Sequence, residues 1–277
     1  MSISPVQECL LKMMVWFHNY CVNNGITYYA IGGTLLGMAR HNGFIPWDDD
    51  LDVGLPRMDY ERICKLLTEE NGKHPYEIET IHMMHKDYSY AHAKIYDIKT
   101  TVIEKRRVNV TRGLSMDLFP IDGTGNTMEE ALRFYSPICK RIDLLTARIV
   151  EIRKGRSLYK NAASVLAKLI PSWCCDMNKE IIEIDNALQK YNYDSSNLAG
   201  NLYGLKRKRE IMPKSYFGKP TLGQFEDAYI YGTEDPNKLL THIYGENWNE
   251  MPPVEKQVTH HNWVSYDLHK GYKESMR

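Results

Sequence analysis

The chain has 277 residues, 43% of them hydrophobic and 25% charged, which is the composition of a folded globular protein and excludes a disordered one. Its 35 basic and 35 acidic side chains cancel, so no overall positive field favours nucleic-acid binding, and no apolar run is long enough to span a bilayer. The N-terminus lacks the pattern of a secretory signal and the six cysteines contain no Cys-x-x-Cys pair, so we expect a cytoplasmic protein without disulfides or a zinc site.

Local signals place the predicted helices. Ser4, Pro5 and Gln7 supply an N-cap, a first-turn proline and the third residue of a capping box, which predicts a helix that Gly25 ends. Thr127 begins a second capping box, and Pro137 predicts a kink or break in the helical pattern that follows it. Further helices are predicted over residues 34–40, 56–67, 158–170, 174–191 and 236–244.

Short β-branched and aromatic runs predict the strands. They cover residues 26–31, 50–53, 76–81, 91–103 and 114–118. After Gly125 the pattern becomes mainly helical. We therefore predict an α+β fold, with a small mixed sheet and flanking helices in a catalytic core over residues 1–125 and a mostly helical region over residues 126–277.

The strongest chemical signal is a cluster of aspartates at positions 48, 49, 50 and 52. On a strand, Asp50 and Asp52 project from one face while Leu51 and Val53 point to the other. Two carboxylates on one face suit a hard divalent cation such as Mg²⁺, which takes one or two carboxylates and completes its shell with water and phosphate. A solvated acidic loop is the alternative. An EF-hand is excluded because Val53 and Asp59 stand where that motif needs Gly and Glu.

Two further features accompany this cluster. Gly32-Gly33-Thr34 ends a predicted strand and opens a helix, a turn at which backbone N–H groups can approach a phosphate, although such turns are often only structural. Asp117 lies within an apolar strand, where a carboxylate is costly unless it is paired or binds a metal. A hydrogen-bonded structural carboxylate is the alternative interpretation of Asp117.

Together these elements resemble the nucleotidyltransferase superfamily, and several blocks resemble the LicD family within it. That family includes bacterial phosphocholine transferases and is related to fukutin and fukutin-related protein. The resemblance is dense over residues 28–123, recurs over residues 211–261 and is thin between them. The blocks are Gly33-Thr34-Leu35-Leu36-Gly37, the stretch from Gly43 to Asp52, Pro56-Arg57-Met58-Asp59-Tyr60, Lys94-Ile95-Tyr96-Asp97, Asp117 to Gly123, Tyr244 to Trp248 and Met251-Pro252-Pro253.

The resemblance implies a phosphotransferase that depends on Mg²⁺ or Mn²⁺. It would transfer a phosphoalcohol, with phosphocholine favoured, from a CDP-linked donor such as CDP-choline to a sugar hydroxyl of a cell-surface glycan, and would release CMP. The glycan would be teichoic acid, lipopolysaccharide or capsule, and the acceptor would be bound by residues 126–277. The partners are then a CDP-alcohol and a glycan or lipid-linked glycan, with no nucleic acid.

On this interpretation Asp50, Asp52 and Asp117 are the catalytic and metal-binding residues. Asp117 either completes the metal site or accepts the proton of the acceptor hydroxyl. Asp48 and Asp49 shape the loop behind them. The residues predicted to contact substrate are Gly32, Gly33, Thr34, Arg40, His41, Trp47, Arg57 and Lys94, with the cations on phosphate and Trp47 on cytosine or a quaternary ammonium group.

Other interpretations stay open from the sequence. The same metal site could serve a nucleotidyltransferase that releases pyrophosphate, or the chain could be a catalytically silent glycan- or nucleotide-binding protein. A basic amphipathic stretch with Arg153, Lys154 and Arg156 predicts peripheral contact with the inner face of a membrane, where a lipid-linked acceptor would lie. Helix packing explains that stretch equally well.

Overall fold

The first helix, α1 (Pro5–Asn24), begins and ends where its local signals predict. The Ser4 side chain accepts from the backbone N–H of Gln7, and the Gln7 side chain accepts from the backbone N–H of Ser4. Gly25 ends the helix in the left-handed conformation, with φ of 59°. The buried face of α1 carries Leu10, Met13 and Phe17 into the main hydrophobic core.

The computed structural model describes residues 3–83, 90–105, 109–149, 158–169, 176–259 and 263–275. Its mixed sheet and packed helices confirm the predicted α+β class. The main sheet contains β1 (Tyr29–Ala30), β2 (Asp52–Pro56), β3 (Tyr76–Glu79), β4 (Ala93–Asp97), β7 (Ser115–Gly125), β8 (Leu198–Gly200) and β9 (Met212–Pro213). Its order is β1-β2-β7-β4-β3, and β8 joins β7 to β9. Only β2 and β7 run parallel among the strand pairs of the described residues.

Other strands form two smaller sheets. β5 (Thr101–Glu104) lies between β6 (Val110–Arg112) and β12 (Trp263–Asp267), so the end of the described chain returns to the first region. β10 (Thr221–Phe225) and β11 (Ala228–Gly232) form an antiparallel hairpin.

Helices cover the sheets. They are α2 (Gly32–His41), α3 (Arg57–Glu69), α4 (Met128–Ile149), α5 (Leu158–Leu169), α6 (Met177–Leu188), α7 (Pro236–Tyr244) and α8 (Tyr272–Ser275). α4 continues through Pro137, so the break predicted there is absent from the helix as described. Among the described residues, no helix is both long and apolar enough to cross a membrane.

Several predicted boundaries were wrong because they depend on distant pairing. The run 91–103 forms two strands, with a turn between Asp97 and Thr101. Residues 26–31 contribute only the two-residue β1, while β7 extends seven residues beyond Leu118 to Gly125. The strand predicted over 50–53 begins at Asp52, so Asp50 lies in the preceding loop. The basic residues Arg153, Lys154 and Arg156 lie outside the described residues.

The region after residue 125 supplies strands as well as helices. β8 and β9 extend the main sheet, and Phe225, Ile230 and Leu240 are buried in the same core as Leu10 and Val53. A second core lies between α4, α6 and the segment that follows β8. The division at residue 125 and the assignment of acceptor binding to residues 126–277 remain predictions.

Candidate active site

Three carboxylates converge on the first turn of α2. A Cβ atom placed on Gly32 would lie 2.9 Å from Oδ2 of Asp52, and one on Gly33 would lie 2.7 Å from Oδ2 of Asp48 and 3.9 Å from Oδ1 of Asp50. Gly32 also has φ of +54°, a conformation that L side chains rarely adopt. Glycine at both positions therefore lets the turn and the carboxylates approach closely.

Hydrogen bonds hold the acidic loop against its neighbours. The backbone N–H of Asp52 donates to the Thr34 hydroxyl at 2.8 Å, which ties the start of β2 to α2. The Gln7 side chain of α1 donates to the backbone carbonyl of Asp48 at 2.8 Å. Thr34 thus lies at the predicted position, but its hydroxyl oxygen fixes the strand that carries Asp52.

A row of charged side chains crosses three adjacent strands. Asp52 of β2 is the register partner of Asp117 of β7, which is in turn the partner of Lys94 of β4. Paired residues project from the same face of a sheet, so the three side chains lie side by side. The Lys94 ammonium forms an ion pair with Oδ1 of Asp117 and lies 4.3 Å from the centroid of the Tyr90 ring.

Asp117 has a second partner that the sequence analysis missed. Nε2 of His92 lies 3.2 Å from Oδ2 of Asp117, and the imidazole packs on Phe119 with ring centroids 4.2 Å apart. Both oxygens of Asp117 therefore have partners. The signal that could have identified His92 is its position two residues before Lys94, on the same face of a strand.

The two facing aspartates differ in their electrostatic environment. Burial, reinforced by the negative charges of Asp50, Asp117 and Asp48, raises the pKa of Asp52 well above its ordinary value. Burial would also raise the pKa of Asp117, but Lys94 and His92 outweigh it and lower that pKa. Negative charge is therefore concentrated around Asp52, whereas Lys94 and His92 offset the charge of Asp117.

This arrangement fits a Mg²⁺ or Mn²⁺ ion at the acidic loop. Carboxylate oxygens are the ligands of these hard cations, and an ion would relieve the repulsion among Asp48, Asp50 and Asp52. In the described part of the chain, no three His, Cys, Asp or Glu side chains are already arranged as a ligand set. Mg²⁺ does not need one, because water and substrate phosphate commonly complete its shell.

Arg40, His41 and Trp47 form a neighbouring group. The Arg40 guanidinium donates to the backbone carbonyls of Trp248 at 3.3 Å and Glu250 at 3.0 Å, and its Nε donates to Nε2 of His41 at 3.0 Å. The rings of His41 and Trp47 meet edge to face with centroids 6.4 Å apart. Arg40 thus connects α2 to the loop after α7.

Arg57 does not lie with the other predicted substrate contacts. It follows the far end of β2, where it forms two hydrogen bonds of 2.7 Å with Asp122 and one of 3.1 Å with Asp185. The side chain is buried, and Asp122 and Asp185 overcome the effect of burial to raise its pKa. This geometry places Arg57 in a buried ionic cluster apart from the acidic loop, and its predicted contact with phosphate stays a prediction.

A cavity of about 210 Å³ opens beside the charged row. Asp50, Lys94 and Asp117 line it together with Arg112 of β6 and Trp263 of β12. Arg112 and Trp263 were not predicted because they reach the site only through the pairing of β5 with β6 and β12. The cavity combines carboxylates and cations, as a site for a phosphorylated substrate requires.

Comparison with known proteins identifies the family. Residues 25–140 match the family model of the LicD/FKTN/FKRP nucleotidyltransferase domain. The chain is 29% identical over 271 residues to the lipopolysaccharide cholinephosphotransferase LicD of Haemophilus influenzae, covering 97% of this chain and 99% of that protein. The human ribitol 5-phosphate transferase FKRP is 55% identical over 48 residues, 17% of this chain and 10% of FKRP. The chain belongs to the LicD family.

The LicD-family match contains the acidic loop and the charged row, from Gly32 to Asp117. Trp248, Glu250 and Trp263, which border these features, come from beyond the matched residues. The likeness to cholinephosphotransferase LicD extends over both parts. These relatives identify the chain as a phosphotransferase enzyme.

Proposed function

We propose that this enzyme transfers a phosphoalcohol, with phosphocholine preferred, from a CDP-linked donor to a sugar hydroxyl of a cell-surface glycan and releases CMP. The observation that carries the proposal is the convergence of Asp48, Asp50 and Asp52 on Gly32-Gly33, beside the row formed by Asp52, Asp117 and Lys94. The likeness to a lipopolysaccharide cholinephosphotransferase over nearly the whole chain supports the choice of phosphocholine and of a lipopolysaccharide acceptor. Teichoic acid and capsule are the alternative acceptors.

In this reaction the acceptor oxygen forms a bond to the phosphorus attached to the alcohol, and the bond from that phosphorus to the CMP oxygen breaks. A divalent cation held by Asp50 and Asp52, with Asp48 beside them, would supply charge neutralisation for the diphosphate. Gly32 and Gly33 give the donor close access to the backbone. Lys94 presents a fixed positive charge at the adjacent cavity, where negative charge increases as the bond to CMP breaks.

The proton of the acceptor hydroxyl needs a base. Asp117 is held by Lys94 and His92, so we assign it to orienting these two groups rather than to proton transfer. An imidazole is suited to general base catalysis near neutral pH, and an aspartate behind it fixes its orientation. His92 is therefore our candidate for the base.

A thermal-shift experiment tests the donor and the metal together. The purified enzyme would be melted with CDP-choline, CDP-ethanolamine, CDP-ribitol, CTP or UDP-glucose, each with and without Mg²⁺. A ligand at about one hundred times its Kd stabilises the native state by about 2.7 kcal/mol, which is a readable shift. We expect a CDP-alcohol to stabilise the enzyme only when Mg²⁺ is present.

Asp50→Asn should erase that stabilisation and the transfer activity while the protein remains folded. Asp227→Asn, at an exposed position in the turn between β10 and β11, is the matched control and should retain both. Release of pyrophosphate from CTP would favour a nucleotidyltransferase instead. Full activity in Asp50→Asn would overturn the proposed metal site.

A further inference from the structure

A second cavity, of about 640 Å³, lies on the other side of the acidic loop. Three segments that are distant in sequence form its walls: the first turn of α1, the loop carrying Trp47, Asp48 and Asp49, and β12 with Trp263 and Tyr266. We call it the aromatic cavity. The fold thus brings three aromatic residues and two carboxylates to one concave surface.

The lining of the aromatic cavity favours a cation that does not donate hydrogen bonds. Asp48 and Asp49 are the charged residues among the described residues that line it. The rings of Trp263 and Tyr266 meet edge to face at 5.7 Å, and Pro5, Val6 and Pro46 add apolar surface. Aromatic faces beside carboxylates are the usual means of binding a quaternary ammonium group.

The aromatic cavity adjoins the site of phosphoryl transfer. Asp49 and Trp263 line both this cavity and the 210 Å³ cavity that contains Asp50, Lys94 and Asp117. A group in the aromatic cavity is therefore separated from the charged row by one loop residue and one indole.

We infer that the aromatic cavity binds the quaternary ammonium head of the transferred alcohol and determines which CDP-alcohol the enzyme accepts. The inference rests on the proposed function, since it assigns a part of the donor to a particular surface. A polyol such as ribitol gains little from these walls, because it carries no charge and needs many hydrogen-bond partners. The assignment therefore ranks choline above ribitol as the transferred group.

Asp49→Asn neutralises the side chain at position 49 and keeps the acceptor of one hydrogen bond. The Thr259 hydroxyl donates to Oδ1 of Asp49 at 2.7 Å, and an asparagine keeps an oxygen that can accept this bond. Asp49→Asn thus removes negative charge from the cavity while the loop keeps its hydrogen bond to Thr259. Trp263→Ala removes an aromatic face, and Trp263→Phe restores one.

Binding of two isosteres tests the inference directly. Choline and 3,3-dimethylbutan-1-ol have the same shape, but only choline is charged, and titration calorimetry would measure both in the presence of Mg²⁺ and CMP. We expect choline to bind at least tenfold more tightly than the alcohol in the wild-type enzyme. Asp49→Asn should weaken choline roughly tenfold and leave the uncharged alcohol unchanged, whereas Trp263→Ala should weaken both.

Two variants serve as controls. Trp263→Phe should recover most of the choline affinity. That recovery would show that Trp263→Ala acts by removing an aromatic ring and not by disturbing β12. Tyr229→Ala removes an exposed aromatic side chain from β11, outside the cavity, and should bind choline like the wild type. Equal affinity of the two isosteres, or unaltered choline binding in both Asp49→Asn and Trp263→Ala, would overturn the inference.

The result is also distinguishable from failure of the proposed function. If choline binds as expected and yet no CDP-alcohol is turned over, the cavity assignment stands and the proposed reaction fails. If the enzyme transfers phosphocholine and Trp263→Ala leaves the ratio of kcat/KM for CDP-choline and CDP-ribitol unaltered, the reaction stands and the cavity assignment fails. If CMP alone protects the fluorescence of Trp47 and Trp263 from quenching, the cavity binds the nucleoside and the inference is overturned.

Discussion

The imidazole of His92 lies where a carboxylate can orient it, at 3.2 Å from Asp117 and stacked on Phe119. This constellation gives the ring one orientation before any substrate binds. Lys94, the register partner of Asp117, forms an ion pair with the other oxygen of the Asp117 carboxylate. At the scale of single residues, the candidate site therefore places Asp117, whose partners are Lys94 and His92, beside Asp52 of the acidic loop.

His92→Gln should lower kcat by about a hundredfold and leave the KM for the donor nearly unchanged, since the loss concerns proton transfer. Steady-state kinetics with varied CDP-choline would measure both constants. His269→Gln, an exposed histidine after β12, is the matched control. A large rise in KM with unchanged kcat would instead assign His92 to substrate binding.

Glu210 predicts a pH dependence of stability at a distance from the acidic loop. Burial raises its pKa to about 7 although the backbone N–H of Lys206 donates to it, and Lys206 and Arg207 oppose the rise. The unfolded chain has the lower ordinary pKa of 4.5, so protonation favours the folded state. This stabilisation is complete below about pH 4.5 and is lost as pH rises through about 7.

Glu210→Gln should therefore be more stable than the wild type by roughly 3 kcal/mol at pH 8 and equally stable near pH 4. Urea unfolding at a series of pH values would measure the difference. Glu129→Gln is the control, because the Glu129 side chain is 82% exposed and should leave the pH dependence unaltered. A constant difference between wild type and Glu210→Gln at all pH values would contradict the prediction.

At the scale of elements, the first turn of α2 depends on glycine for two separate reasons. Gly32 has both a left-handed φ and a contact with Asp52, whereas Gly25 has a similar φ of +59° and no atom within 4 Å of an added Cβ. Comparison of these two positions separates backbone strain from crowding of the acidic loop. The two glycines thus form a matched pair.

Gly32→Ala should abolish transfer, because its Cβ would displace the Asp52 carboxylate. Gly25→Ala should retain activity, although strain at the end of α1 costs it about 1 kcal/mol of stability. Transfer assays and thermal unfolding of both variants would measure these effects. Similar activity in the two variants would show that crowding at Gly32 does not matter.

Elements with local start and stop signals were predictable from the sequence. Ser4 and Gln7 fix the beginning of α1, because caps act on neighbouring residues. The predicted helix over residues 236–244 matches α7, which Asp235 and Gly245 flank. Strand ends were less predictable, since they depend on partners far along the chain. The split of 91–103 into β4 and β5 follows from pairing with two different sheets.

The same distinction applies to the candidate site. The acidic loop, the glycine turn and Asp117 were recognised from types and spacing of residues. Their contacts with His92 and Trp263 depend on strand register and on the return of β12 to β5, which no local pattern encodes. The ionic cluster of Arg57 was not foreseen because its partner Asp185 lies 128 positions away.

At the scale of the whole molecule, a buried ionic cluster joins the two hydrophobic cores. Arg57 begins α3, Asp122 belongs to β7, and Asp185 of α6 also accepts from the hydroxyl of Tyr203 at 3.1 Å. The cluster thus links the main sheet to the helices after residue 125. Removal of one member of such a cluster leaves a buried charge without its partner.

Asp185→Ala should reduce the free energy of unfolding by about 3–5 kcal/mol, because the guanidinium of Arg57 loses a buried partner. Glu61 also contacts Arg57, at 3.1 Å, but its side chain is 45% exposed, so Glu61→Ala should cost less than about 1 kcal/mol. Chemical denaturation would measure both variants. Equal small effects would show that the cluster does not couple the cores energetically.

The parallel pairing of β2 with β7 has a consequence for how chain length can vary. Asp52 and Asp117 lie side by side because β2 and β7 pair in this register. The lengths of the turns that lie between β2 and β7 in the sequence do not affect this pairing. Insertions or deletions in such turns leave the two carboxylates opposite each other. One residue added within β2 would move the side chains that follow it in that strand to the opposite face of the sheet. Length variation among related chains should therefore be confined to turns and absent from β2 and the first half of β7.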